Sequence, residues 1–322
     1  MRSINIDHFG LTRTGWQRTT NQDQFAIADL HKLLVIGQSS LRSDHASRRS
    51  RLQGSLYVVA DGMGGHAAGD RASVLALEVF LDYLVADFPW CTARHAISDR
   101  SIQNQLLLAA RRCDATIKAE AAERPDRSGM GTTLTAAMVI WPKLYVSHVG
   151  DSRCYLWRAG QLKQLTTDHT VARQLSDAGV VDPDAVLATS LRRTLWNVMG
   201  GLSTEVQPEF ACTHLVVDDV LLLCTDGITR VLQHEAISEI LTRHLPAPET
   251  CFQLVDATLR ANGSDDITLV VACFKPPAIE NPGDEVGMLS NEEQDDPSTH
   301  ADDGFDLRSP PRFATPLRAR SS

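Results

Sequence analysis

The chain has 322 residues, of which 43% are hydrophobic and 22% are charged, and its formal net charge is -9. These values are typical of a globular protein, and the acidic balance argues against a nucleic-acid-binding domain, whose affinity comes mostly from Lys and Arg. The longest apolar runs are far shorter than the ~18 residues that a membrane span needs, so we expect no transmembrane helix.

Short apolar runs between turn signals predict β-strands in chain order at residues 24–28, 56–60, 132–140, 144–149, 153–157, 220–225 and 267–274. Helical spacing of apolar residues predicts helices at residues 70–86, 101–122 and 251–261. Consecutive strands with short links between them indicate antiparallel pairing, because parallel neighbours need a crossover of a dozen residues or more. The partial segregation of helices and strands favours an α+β layered domain over a doubly wound parallel one.

The composition changes at Lys275, which predicts a body of residues 1–274 and a tail of residues 275–322. Seven of the fourteen prolines follow Lys275, and residues 280–306 contain ten acidic residues and no Lys or Arg. Such a segment cannot bury enough apolar surface to offset its ordering entropy, so we expect the tail to be disordered. A polar insertion at residues 37–53, which contains four arginines, is expected to be a solvated loop.

The cysteines and the first residues both favour a reducing compartment. Seven cysteines are widely spread and form no Cys-x-x-Cys pair, so neither a disulfide framework nor a zinc knuckle is indicated. Asn5, Asp7 and His8 lie where a signal peptide would need an apolar segment. We therefore expect a cytoplasmic protein.

Aspartates that adjoin predicted strands are the main functional signal. Asp61, Asp151 and Asp226 follow strands, whereas Asp23 and Asp265 precede them. In an antiparallel sheet the end of one strand and the start of its neighbour share an edge, so the five can gather at one rim. Crowded carboxylates repel one another unless a cation neutralises them, and oxygen ligands suit Mg²⁺ or Mn²⁺. Any one of these residues taken alone is more simply explained as a turn aspartate.

The glycine-rich segment at residues 61–70 follows a predicted strand and opens a helix. Gly62, Gly64 and Ala67 fit the dinucleotide pattern G-x-G-x-x-G/A, but Asp61 would place a negative charge beside the pyrophosphate. The glycines equally allow the Gly62 carbonyl to approach a metal that Asp61 holds. A nucleotide-dependent enzyme is therefore only a distant alternative.

Seven motifs occur in a fixed order along the body. They are RTTNQD at 18–23, VVADGMGGH at 58–66, GTT at 131–133, VGDSR at 149–153, LTTDH at 165–169, CTDGI at 224–228 and SDDIT at 264–268. Together they resemble the PPM-type, metal-dependent (type 2C) serine/threonine protein phosphatases in their bacterial form. The resemblance implies a four-layer α-β-β-α sandwich, in which helices flank two antiparallel sheets, and a catalytic domain that spans residues 1–274.

The same resemblance implies a centre of two Mn²⁺ or Mg²⁺ ions. Asp61 would bridge both ions, and the carbonyl of Gly62 would bind one of them. Asp226 and Asp265 would bind the other ion, and Asp23 would act through bound water.

The resemblance also implies a third, weaker metal site and a phosphate-binding residue. Asp151 would form the third site together with Asp226. Arg18 matches the phosphate-binding arginine of the family, and a guanidinium fork suits phosphate oxygens because it binds them bidentately. Arg18 and Asp61 are thus the expected catalytic residues.

Three positions depart from the best-known pattern of the family. Met63 stands where many eukaryotic members have a histidine, so protonation of the leaving oxygen has no assigned residue. Gln22 replaces a common glutamate, and Asp266 replaces the usual asparagine, which adds charge next to the preceding aspartate. His169 belongs to a motif but has no derivable role, and a structural hydrogen bond is expected for it.

The function that the resemblance implies is hydrolysis of phosphoserine and phosphothreonine by direct attack of a water that bridges the two ions. The expected partners are phosphorylated proteins, the substrates of Ser/Thr kinases, and neither nucleic acid nor a membrane. The protein is expected to be a monomer. The alternative is a pseudophosphatase, in which the same fold binds phosphoproteins as a regulatory module with little or no turnover.

Overall fold

The computed structural model describes residues 4–31, 33–35, 47–49, 54–64, 66–88, 98–180, 190–201 and 205–276. The strands in these residues are β1 (Asn5–Arg13), β2 (Asp23–Leu30), β3 (Leu33–Val35), β4 (Ser47–Arg49), β5 (Gly54–Met63), β6 (Gly131–Thr132), β7 (Leu134–Ile140), β8 (Lys143–Val149), β9 (Arg153–Arg158), β10 (Gln161–Gln164), β11 (Met199–Gly200), β12 (Glu209–His214), β13 (Val220–Cys224) and β14 (Ile267–Lys275). The α-helices are α1 (His66–Ala86), α2 (Asp99–Glu123), α3 (Val171–Asp177), α4 (Asp226–Thr229), α5 (His234–Leu241) and α6 (Ala247–Arg260).

Two antiparallel sheets form the centre of the domain. The first sheet has the strand order β1-β14-β13-β9-β10. The second sheet has the order β11-β6-β5-β7-β8-β12, and β2 also pairs with β5. Strands β3 and β4 form a separate hairpin. The pairing of β7 with β8 is antiparallel, as predicted from the short link between them. The prediction was wrong for the short link at residues 150–152, because β8 lies in the second sheet and β9 in the first. Strand β13 pairs antiparallel with β9 and with β14.

Three hydrophobic clusters separate four layers. One cluster lies between the second sheet and helices α1 and α2, and another lies between the first sheet and helices α5 and α6. The third cluster fills the space between the two sheets. The predicted α-β-β-α sandwich is therefore confirmed.

The alternation of side chains along β5 explains why this strand reads as one apolar run. Leu56 and Val58 belong to the cluster under α1 and α2, whereas Tyr57 and Val59 belong to the cluster between the sheets. Successive side chains of a strand point to opposite faces. Because both faces of β5 are covered, every position of residues 56–60 is apolar and fully buried.

Several elements differ from the sequence prediction. The strand predicted at residues 132–140 is two strands, because the N–H of Thr133 donates to the carbonyl of Asp61 at 2.9 Å instead of continuing a ladder. The strand predicted to reach residue 225 ends at Cys224, and Asp226 begins a short helix. The sequence patterns did not predict strands β1, β3, β4, β10, β11 and β12 or helices α3, α4 and α5.

The predicted tail and insertion lie largely outside the described residues. Strand β14 ends at Lys275, one residue beyond the predicted body, and residues 277–322 are not described. Within the insertion at 37–53, the described residues Ser47–Arg49 form strand β4 rather than loop. Among the residues that the structure covers, no helix combines the length and the apolar character needed to cross a membrane.

Candidate functional site

Four of the five predicted aspartates come together at the ends of strands from both sheets. Asp23 and Asp61 are direct partners in the antiparallel ladder of β2 and β5. The carboxyl group of Asp226 lies within hydrogen-bonding reach of those of Asp61 and Asp151. The carboxylates that the strand-end argument placed at one rim therefore do meet there.

Asp265 joins this group through two arginines. The Arg18 side chain donates from Nε to Asp265 Oδ1 at 2.7 Å, and its Nη2 lies 2.5 Å from the same oxygen. The guanidinium of Arg230 contacts both Asp265 and Asp226. Both oxygens of Asp265 thus have a cationic partner, and Arg18 lies at the edge of the carboxylate cluster.

Burial and mutual repulsion make ionisation of this cluster unfavourable. The pKa of Asp61 is raised well above its ordinary value by burial and then by the charges of Asp23, Asp226 and Asp151. Burial and Asp226 raise the pKa of Asp151, and burial raises the pKa of Asp226 although Arg230 opposes the shift. Because each donor is an oxygen, the cluster fits hard cations such as Mg²⁺ and Mn²⁺, whose charge would favour the ionised form.

A hydrogen bond between the two sheets positions Asp23. Its Oδ2 accepts from the hydroxyl of Thr225 at 2.8 Å, and the same hydroxyl oxygen accepts from the backbone N–H of Thr268 at 3.1 Å. Asp23 is 2% exposed, and its pKa is raised to about 7, chiefly by burial, while the bond from Thr225 lowers it. A threonine next to a strand of the first sheet therefore positions an aspartate of the second sheet.

Replacing Thr225 with Val should destabilise the protein by roughly 1 to 3 kcal/mol, the usual cost of leaving buried polar partners unpaired. Valine keeps the shape of threonine but cannot donate to Asp23 or accept from Thr268. The measurement is urea-induced unfolding in the presence of a chelator. Thr242→Val is a matched control, because the Thr242 hydroxyl donates to Ser238 O at an exposed position. Equal midpoints for the two variants would contradict the assigned role of Thr225.

The backbone of Gly62 is packed too closely for any side chain. A Cβ atom there would lie 2.1 Å from the carbonyl oxygen of Gly69, and the Gly62 N–H donates to Gln22 O at 3.1 Å. The glycine therefore lets the start of α1 approach the end of β5. Its predicted role as a carbonyl ligand stays a prediction.

Asp266 has a structural use that accounts for a carboxylate at this position. Its Oδ1 accepts from the N–H of Gly15 at 2.9 Å, and its Oδ2 accepts from the N–H of Gln22 at 3.0 Å. Asp266 is 4% exposed. The two bonds fix both ends of the loop that carries Arg18.

Asp266→Asn should lower the free energy of unfolding by about 1 to 3 kcal/mol, because an amide offers one acceptor oxygen and would leave one buried N–H unpaired. Chemical denaturation with chelator present measures the change. Asp256→Asn serves as the control, since Asp256 is exposed and pairs with Arg260 on the surface of α6. An Asp266 variant as stable as this control would refute the loop-fixing role.

The loop that carries Asp151 is hydrogen-bonded to His169, the histidine of the LTTDH motif. Gly150 has φ +109, and a Cβ there would lie 2.5 Å from the Thr133 side chain, so this turn requires glycine. His169 Nδ1 accepts from the backbone N–H of Gly150 at 3.1 Å, and the backbone N–H of His169 donates to Gly150 O at 2.8 Å. The structural hydrogen bond expected for His169 is confirmed.

His148, His169 and Glu209 form a second group of potential metal ligands, with one ligand atom from each within 4.8 Å of the others. Hydrogen bonds already use both nitrogens of His148, at 2.9 Å to Thr135 Oγ1 and 3.1 Å to Thr167 O. Burial, reinforced by His169, lowers the pKa of His148 to about 3. The two histidines are best explained as neutral support for the adjacent loop rather than as ligands of a metal.

Sequence reasoning missed two residues of the site, Thr225 and Arg230. Arg230 follows Asp226 by four residues, the spacing at which side chains meet on a helix. The spacing did not identify Arg230, because residues 220–225 were predicted as a strand and no helix was predicted after them. Nothing in the sequence pairs Thr225 with Asp23, 202 residues away.

Comparison with known proteins gives one family. A family model described as protein phosphatase 2C matches residues 34–262. The serine/threonine protein phosphatase PstP of Mycobacterium tuberculosis is 34% identical over 248 residues, which are 75% of this chain and 46% of that protein. The serine/threonine phosphatase stp of Listeria monocytogenes is 29% identical over 216 residues, which are 67% of this chain and 83% of that protein. This chain thus spans about half the length of PstP.

Solved structures agree with the family match. The crystal structure of the M. tuberculosis phosphatase PstP covers 85% of this chain with a TM-score of 0.67 and 30% identity, and all of that chain is matched. A structure of the PstP catalytic domain in complex with two manganese ions has a TM-score of 0.64 and 27% identity, with 85% and 100% of the two chains covered. Because the family model matches well over half of its residues, the chain belongs to the protein phosphatase 2C family.

Proposed function

We propose that the chain is a metal-dependent serine/threonine protein phosphatase. The observation that carries the proposal is the meeting of five aspartates, which lie in or next to the strands of both sheets, with Arg18 at their edge. Family membership supports it, as does the relative whose structure is described with two manganese ions.

The ligands that we propose are all oxygen donors. Asp61 would bridge two Mn²⁺ or Mg²⁺ ions, the carbonyl of Gly62 would bind one, and Asp226 and Asp265 would bind the other, with Asp23 acting through water. When bound, the two ions would lower the pKa of a bridging water and neutralise charge on the transferring phosphoryl group.

Arg18 is the proposed phosphate-binding residue. Its side chain is 42% exposed, whereas that of Asp265 is 18% exposed, so the guanidinium lies on the solvent side of the pair. The Arg18 guanidinium contacts Asp265 through Nε and Nη2. Its other N–H donors can bind the oxygens of a phosphate monoester. Arg18 would thus orient the phosphoester toward the carboxylate cluster.

The proposal includes four finer points. Asp151 and Asp226 would form a third, weaker metal site, supported by the hydrogen-bonding reach between their carboxyl groups. The substrates would be phosphorylated proteins, and the protein would act as a monomer. A cytoplasmic location is supported by the six described cysteines, which are all free thiols.

Hydrolysis of a phosphothreonine peptide by the full chain tests the function. We expect phosphate release with Mn²⁺ or Mg²⁺ and background rates with a chelator. Turnover that persists in the chelator would contradict the metal-dependent mechanism. Peptide binding without turnover under any metal would instead establish the pseudophosphatase alternative.

A further inference from the structure

Arg230 occupies an unusual position, because it is a cation placed by its own helix among the proposed metal ligands. It directly follows helix α4, and its N–H donates to Asp226 O at 2.8 Å. The four-residue spacing then brings the guanidinium over the Asp226 carboxylate. The Arg230 side chain is 34% exposed, whereas those of Asp226 and Asp265 are 7% and 18% exposed.

The contacts of Arg230 coincide with one proposed metal position. Nη2 of Arg230 contacts Asp226 Oδ2, and Nη1 contacts Asp265 Oδ2. These two carboxylates are the pair that we propose as ligands of one ion. Arg230 pairs with both of these carboxylates, whereas the Arg18 ion pair is with Asp265, and the Arg18 side chain is more exposed.

A guanidinium and a divalent ion at this position would interfere with each other. An ion lies about 2.0 to 2.6 Å from its oxygen ligands, so it would lie close to any cation that shares those oxygens. Like charges at that separation repel, more strongly in a partly buried site than in water. Binding of the ion is therefore coupled to displacement of Arg230.

We propose that Arg230 is an internal counter-cation that competes with the metal ion for Asp226 and Asp265. It stabilises the metal-free protein by offsetting the repulsion among the carboxylates, and by the same contacts it weakens metal binding. This inference rests on the proposed function, since it takes Asp226 and Asp265 as ligands.

The test is calorimetric titration of the full-length, chelator-stripped protein with Mn²⁺, together with the melting temperature of each metal-free protein. Arg230→Ala should bind Mn²⁺ about fivefold more tightly, which corresponds to the upper end of the energies measured for partly exposed charge pairs. Its metal-free melting temperature should fall, and the rise on adding Mn²⁺ should exceed that of the wild type. Arg230→Lys keeps the charge and should stay near the wild-type affinity.

Arg243→Ala is the matched control. Arg243 also pairs with a carboxylate four residues away, Glu239 at 3.1 Å, and it additionally donates to Gln253. Its removal should leave Mn²⁺ affinity unchanged. Should Arg230→Ala fail to fold, Arg230→Gln removes the charge with less loss of volume and carries the same expectations.

Two outcomes would overturn the inference, and they differ in what else they overturn. If Asp226→Asn weakens Mn²⁺ binding but the charge-removing Arg230 variants bind Mn²⁺ no more tightly than the wild type, Arg230 is only a structural ion-pair partner and the proposed metal centre stands. If Mn²⁺ binds equally to the wild type and to Asp226→Asn, the proposed ligands are wrong, and the competition fails with them.

Discussion

Asp61→Asn is expected to lower Mn²⁺-dependent hydrolysis of a phosphothreonine peptide by roughly 10³-fold or more. It removes the carboxylate that we propose bridges two ions, and its loss would cost several kcal/mol of transition-state stabilisation. The fold should survive, since the hydrogen bonds recorded for Asp61 with its threonine neighbours use backbone atoms. Its N–H donates to Thr133 Oγ1 at 2.9 Å, and its carbonyl accepts from Thr132 Oγ1 and the Thr133 N–H, both at 2.9 Å. The substitution therefore isolates the carboxylate charge.

Initial rates at saturating Mn²⁺ measure this loss, and a circular dichroism melt confirms folding. Asp256→Asn, on the outer surface of α6, removes the same charge away from the site and should keep wild-type activity. A folded Asp61 variant with more than a tenth of the wild-type rate would rule out the bridging role.

The sequence predicted best those elements whose two faces are both covered. In β14, Val270, Ala272 and Phe274 face the other sheet, and Leu269 and Val271 face the helices. Thr268 is the only polar residue within residues 267–274, so the strand stands out as an apolar run. The long helix α2 was predicted equally well, because its buried residues follow the helical period along its whole length.

A strand at the edge of a sheet was harder to predict. Strand β1 pairs with β14 along all its nine residues but lies at the edge of the first sheet. Its alternation is interrupted by Asp7 and His8, which find specific partners: Lys275 lies 2.7 Å from Asp7, and His8 Nδ1 is 3.2 Å from the Tyr57 hydroxyl. Those partners lie far away in the sequence, so the polar residues of β1 had no local explanation.

Within the site, the positions of the aspartates could be predicted, but their hydrogen-bond partners could not. Strand-end aspartates were predictable, because antiparallel topology alone brings strand ends and starts to one edge. The contacts that hold them were not, because Thr225 reaches Asp23 from the other sheet, and Asp266 reaches Gly15 across 251 residues. Only the packed structure determines which polar side chains meet.

Asp23→Asn is expected to make the metal-free protein more stable than the wild type at pH 8, although it removes a proposed ligand. The pKa of Asp23 is about 7 in the folded protein, against an ordinary value of 3.8, chiefly because burial disfavours its charge. Above pH 3.8 the unfolded chain releases this proton while the folded protein keeps it. Folding stability from this group is therefore full at low pH and is lost as pH rises through 7.

The expected gain in stability follows from the shift in the pKa of Asp23. About three pKa units correspond to a difference on the order of 4 kcal/mol between low pH and pH 8. Asparagine resembles the protonated acid, so its amide oxygen still accepts from Thr225 without the cost of a buried charge. The variant should match the wild type near pH 4 and exceed it at pH 8.

The comparison must be made between the variant and the wild type, because buried histidines act in the opposite direction. Burial lowers the pKa of His148 to about 3 and that of His169 to about 4, so these groups favour folding as pH rises toward their ordinary value of 6.5. Both proteins share this contribution, and it cancels in the difference. Urea unfolding at pH 4 and pH 8 with chelator gives that difference directly. A stability difference that does not change with pH would show that Asp23 ionises in the folded protein without penalty. The predicted rise would show that an aspartate of the proposed metal centre destabilises the metal-free fold.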